Sequence, residues 1–96
     1  MNRAELLERA VSVYGEHRQV DMMIEEMSEL TKALLKIRRA ATPNEMGEWI
    51  VNVAEEIADV QIALDQMKMF FTAEGDAFES MKLARLAERL GEEYDG

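Results

Sequence analysis

Ninety-six residues with a formal net charge of −9 and no cysteine make one small domain, 1–96, and exclude disulfides, thiolate nucleophiles and zinc–thiolate sites. The acidic balance argues against nucleic acid as a partner, and no run approaches the roughly 18 uninterrupted apolar residues of a membrane span. The opening Met1-Asn2-Arg3-Ala4-Glu5 lacks the apolar core of a signal peptide, so a cytoplasmic protein is expected.

Asn2 opens a first helix through Leu6, Leu7, Ala10 and Val13 to about Tyr14, with Gly15 as its stop. A second helix runs from about His17 to Arg39. Val20, Met23, Ile24, Met27, Leu30, Leu34 and Ile37 keep its helical period, and Lys36, Arg38 and Arg39 suit the negative end of its dipole. Thr42-Pro43-Asn44-Glu45 combines a threonine N-cap, a proline at the first helical position and a glutamate three residues after the cap. The third helix then continues to about Thr72, roughly 45 Å at 1.5 Å per residue. Asp76 repeats the cap logic for a fourth helix to about Leu90, stopped by Gly91, and Glu92 to Gly96 are expected to fray. No alternating run reads as a strand. The expectation is an all-α, four-helix bundle. The apolar stripe of its third helix is too extensive for one small chain to cover, so subunits are expected to pair along the long helices. Eight methionines fit adaptable core packing.

Two acidic clusters interrupt these apolar runs. On a helical wheel with about 100° per residue, Glu56 falls inside the stripe formed by Trp49, Val53, Val60, Ala63, Leu64 and Met67, with Asp59 on its edge. Glu26 falls among Met22, Met23, Leu30, Ala33 and Ile37, with Glu29 on its flank. A carboxylate turned toward a core must find a partner or lose its charge. Two helices that each place such acids inward point to four carboxylates converging on a cation. Hard oxygen ligands favour Mg²⁺, with Mn²⁺ as a substitute, over zinc or copper. Di-iron bundles require Glu-x-x-His pairs, and the single histidine, His17, is not spaced that way. The bland alternative is that i,i+3 acids simply decorate a solvated face.

Glu25-Glu26-x-x-Glu29, a spacer of 26 residues and Glu56-x-x-Asp59 together resemble the signature of the all-α nucleoside triphosphate pyrophosphohydrolases. That superfamily includes MazG proteins, dimeric dUTPases and phosphoribosyl-ATP pyrophosphatase. The likeness extends to Gln19 before the first cluster, to Glu55-Glu56-Ile57-Ala58-Asp59-Val60, and to Lys82-Leu83-x-Arg85-Leu86, and covers roughly Gln19 to Arg89. It implies a compact MazG-like fold and Mg²⁺-dependent hydrolysis of a nucleoside triphosphate to monophosphate and pyrophosphate. Glu26, Glu29, Glu56 and Asp59 match the metal ligands, and Glu25, Glu26 and Glu56 the catalytic set. Glu25 stands where it orients a ligand or helps activate water. Lys82 and Arg85 are candidates for holding phosphates, against plain dipole complementation, the reading preferred for Arg89. Gln19 is a candidate for a base edge, against an exposed loop glutamine. Trp49 is a base stacker or, preferably, a packing residue, and His17 reads as a helix-start residue. The sequence Val60-Gln61-Ile62-Ala63 lacks the Tyr-His of phosphoribosyl-ATP pyrophosphatases, which leaves nucleotide-pool housekeeping by a homodimer or homotetramer. The competing expectation is an acidic helical oligomeric interaction module without catalysis.

Overall fold

The computed structural model describes residues 1–71 and 75–96. It is all-α: α1 spans Arg3–Arg39, α2 Pro43–Phe71 and α3 Gly75–Arg89, and no strand occurs among the described residues. One chain thus holds three helices where four are expected, and the difference lies at Gly15. That glycine breaks the helical backbone (φ 82°, ψ 163°), so that α1 consists of two helical segments joined at a kink. The conformation is accessible essentially to glycine alone. The first segment thus stops at Gly15 as expected, and the second follows with no connecting loop. The Arg18 guanidinium lies 4.9 Å from the Tyr14 ring centroid, bridging the kink.

The helix ends follow the chemistry of their caps. Asn2 and Glu5 form a reciprocal capping box at the start of α1. At α2 the Thr42 hydroxyl accepts from the Glu45 backbone N–H at 3.2 Å. The Glu45 carboxylate reaches one residue further than a capping box requires and accepts from the Ala41 N–H at 2.9 Å. The C-terminus of α3 is a Schellman motif. Gly91 adopts φ 71°, its N–H donates to the Glu88 carbonyl, and the Glu92 N–H donates to that of Ala87. Two expected boundaries shift. Because α3 begins at Gly75, Asp76 lies in its first turn rather than at its cap. The expected end of the preceding helix, Thr72, lies outside the described residues.

Residues 40–42 turn the chain so that α1 and α2 pack as an antiparallel hairpin, and α3 makes almost no contact with either. Small side chains set the close approach, with Ala33 and Ala63 buried between the helices; Leu7 and Met23 are the other buried apolar residues. An ion pair of 2.6 Å between Arg3 and Asp65 ties the start of α1 to the far part of α2. The radius of gyration is 17.0 Å, against about 12.5 Å for a compact domain of this length. Among the described residues, no helix is long and apolar enough to cross a membrane.

Candidate metal centre

The hairpin brings the two acidic clusters to one level. Glu26 lies 13 residues before the end of α1 and Asp59 16 residues after the start of α2, roughly 20 and 24 Å from the turn. Antiparallel arms of similar length place them opposite each other. Glu26, Glu56 and Asp59 each offer a carboxylate oxygen, and these oxygens all lie within 4.8 Å of one another. Glu26 and Glu56 are half-buried and Asp59 is exposed. The Oε2 atom of Glu56 is buried without a hydrogen-bond partner.

This arrangement is electrostatically uphill. Burial first, then the charges of Asp59, Glu56, Glu25 and Glu29, push the Glu26 carboxyl above the ordinary carboxylate value. Burial first, then Asp59, Glu29 and Glu55, do the same for Glu56. Among the described residues no ion pair joins the three: the pairs formed are Arg3–Asp65 and the 3.9 Å contact of exposed His17 with Asp21. A cluster of carboxylates with a buried, unsatisfied oxygen is chemically suited to a divalent cation, which supplies the missing charge and accepts several oxygen ligands.

Beside the acids runs a half-open cleft of about 110 Å³, lined by Met22, Glu26, Asp59, Ile62, Ala63 and Gln66. Its two ends differ chemically. Glu26 and Asp59 form one, Met22, Ile62 and Ala63 the apolar walls, and the buried Gln66 the other. Gln66 follows Asp59 by seven residues, two turns along the same stripe, or about 10 Å. Sequence reasoning missed it, although that spacing was the signal available.

The remaining candidates fall in three groups. Glu25 and Glu29 are exposed and stand outside the set of three, yet their charges reach Glu26 and that of Glu29 also reaches Glu56. Gln19 is neither exposed nor in a loop: it lies within α1, 1% exposed, with both amide atoms buried and unpaired. It precedes Glu26 by seven residues as Gln66 follows Asp59, so the antiparallel register sets the two amides at one level. Lys82 and Arg85 are exposed on α3, and neither lines the cleft. The ring of Trp49 is covered by the Lys36 Nζ at 4.3 Å from its centroid, a cation–π contact at the hairpin's turn end.

Comparison with protein-family models, with curated proteins and with solved structures found no match for this chain.

Proposed function

We propose that the chain is a Mg²⁺-dependent nucleoside triphosphate pyrophosphohydrolase of the MazG-like, all-α kind. It converts an NTP or dNTP, canonical or modified, to the monophosphate and pyrophosphate, as cytoplasmic nucleotide-pool housekeeping. The observation that carries the reading is the convergence of Glu26, Glu56 and Asp59 from two helices around a buried carboxylate oxygen with no protein donor. Three like charges brought this close oppose folding unless something offsets them, which favours a ligand over decoration.

In this reading Glu26, Glu56 and Asp59, joined by Glu29, hold Mg²⁺ or, in its place, Mn²⁺. Such an ion, when bound, neutralises phosphate charge and lowers the pKa of coordinated water. The chain supplies the rest. Glu26 and Glu56 hold and orient the ion, and the Glu25 carboxylate, one residue from Glu26, accepts the proton of the attacking water. Met22 and Ile62 give the cleft apolar walls, and Gln19 offers an amide at the depth of its far end. Lys82 and Arg85 hold phosphate oxygens across a subunit boundary, because α3 of the same chain is not packed on the hairpin. The active unit is a homodimer or homotetramer joined through the long helices.

The test is chromatographic product analysis with a panel of NTPs and dNTPs, in Mg²⁺ and in EDTA. Monophosphate plus pyrophosphate, formed only with metal, is the expected result. Diphosphate plus orthophosphate overturns the bond assignment. No product from any nucleotide favours the second reading, an acidic helical interaction module without catalysis. One observation speaks for that module: large apolar side chains such as Ile50, Val51, Phe71 and Phe78 stand more than half exposed.

A further inference from the structure

The cleft opens on one broad side of the hairpin, and helical spacing turns Met27, Leu34, Ile57 and Leu64 away from it. Those four side chains are apolar and about half exposed, with nothing that could hydrogen-bond a ligand. The cleft is different. Met22 of α1 and Ile62 of α2 form its walls, with the small, buried Ala63 beside them. Glu26 and Asp59 stand at one end and Gln66 at the other, two helical turns or about 10 Å beyond Asp59.

The acids account for the first end, and nothing yet accounts for the second. Gln66 is 6% exposed, and among the described residues no hydrogen bond engages its amide. Gln19, at the same level on α1, is 1% exposed with both amide atoms buried and unpaired. A buried amide without partners is costly, and an apolar side chain of the same shape fills the space without that cost. Two such amides, set level on facing helices, therefore mark this end as a place where a ligand is hydrogen-bonded. Of the two, Gln66 lines the cleft.

We propose that the cleft takes the single ring of a pyrimidine nucleotide and that Gln66 is the residue that reads the edge of that ring. This rests on the acids holding Mg²⁺ for the phosphates of the same nucleotide, as proposed above. Size selects the ring. The cleft holds about 110 Å³, and a closed apolar cavity of about 150 Å³ is what benzene occupies. One six-membered ring fits between Met22 and Ile62, and the second ring of a purine is left without room. The Met22 thioether is a favourable neighbour for an aromatic ring. The Gln66 amide presents a donor and an acceptor side by side, and the edges of uracil, thymine and cytosine each present the complementary pair. Rotation of the amide exchanges its two atoms, so the site selects for ring size and not between uracil and cytosine. Sugar and phosphates then run back toward Glu26 and Asp59.

Isothermal titration calorimetry tests this with the α,β-imido analogues of dUTP, dCTP, dATP and dGTP and with inorganic tripolyphosphate, each in Mg²⁺. The imido bridge prevents cleavage, so affinity is read apart from turnover. Tripolyphosphate is expected to bind, and both pyrimidine analogues to bind at least about 10-fold more tightly than the purine ones. Gln66→Met keeps the length of the side chain and removes its amide. It should weaken the pyrimidine analogues about 10-fold and change the purine ones much less, since an excluded base does not reach it. Should that variant lose helicity, Gln66→Asn takes its place. It keeps the amide but withdraws it by one methylene, with an expected weakening of about 5-fold. Binding of tripolyphosphate with equal affinity for all four analogues overturns the base assignment and leaves the metal site standing. Tighter binding of a purine analogue does the same. A Gln66→Met chain that weakens purine and pyrimidine analogues equally overturns the role of Gln66. Binding of neither tripolyphosphate nor any analogue overturns the metal site and the base assignment together.

Discussion

The two broad sides of the α1·α2 hairpin are made from the same two helices and differ in almost every physical respect. On one side Glu25, Glu29 and Asp59 stand exposed around the half-buried Glu26 and Glu56, and the helices part to leave a cleft. On the other, Met27, Leu34, Ile57 and Leu64 form a surface without a carboxylate. Between them the layer is thin, closed mainly by Ala33 and Ala63. A single small hairpin cannot satisfy both sides by itself. The acids repel one another and the apolar side chains stand in water, and the small core between them offsets both costs.

The largest effect that would break this contrast is on chemistry. Glu56→Gln keeps the shape of the side chain but removes a charge from the cluster. It is expected to lower turnover by on the order of 10³-fold, measured as pyrophosphate release, while leaving helicity and sedimentation mass unchanged. A parallel loss of helicity would reassign Glu56 to a structural role.

The same variant sharpens the contrast in stability. The carboxyls of Glu26 and Glu56 are raised in the folded chain, so the folded state binds protons more readily than the unfolded one. The corresponding stability is complete below the ordinary value of 4.5 and is lost as pH rises through the raised values. In EDTA, Glu56→Gln should therefore melt above the wild type at pH 7, with the difference shrinking toward pH 4.5. Millimolar Mg²⁺ should raise the wild-type melting temperature and do much less for the variant. Identical responses would mean that the acids bind no cation.

Smaller effects should leave the contrast intact. Thr42→Ala removes the hydroxyl that accepts from Glu45 at 3.2 Å and should cost about 1 kcal/mol. It shortens neither side of the hairpin, so melting falls while mass and metal response stay as they are. Arg3→Ala breaks an ion pair whose side chains are 58% and 31% exposed, and denaturant titration should register about 0.5 kcal/mol or less.

Much of the hairpin was legible in the sequence because local chemistry decides it. Asn2 with Glu5, Thr42 with Pro43, and Gly91 mark ends that the backbone respects. The position of Glu56 in an apolar stripe foretold a carboxylate oxygen out of reach of solvent. Three features were not legible. Gln19 is buried although its polarity argues for exposure, because the antiparallel register sets it between the helices, level with the buried Gln66. The distance of Lys82 and Arg85 from the acids follows from the placement of α3, which no spacing within α3 encodes. The apolar stripe of α2 was read as one surface, whereas packing divides it: Ala63 goes to α1, while Ile57 and Leu64 remain on the outside.

The bend at Gly15 has a consequence for how the chain opens. Gly15 divides α1, and residues 3–14 form an arm whose only buried side chain is Leu7. Burial of one leucine is worth about 1.5–3 kcal/mol, and the exposed Arg3–Asp65 pair adds at most about 1 kcal/mol. The arm should therefore detach and re-dock as a unit, with an opening free energy of a few kcal/mol, below that of the hairpin it leans on. Amide hydrogen exchange should divide α1 at Gly15, with fast exchange before it and slow exchange after it, so that its two segments behave as separate cooperative units.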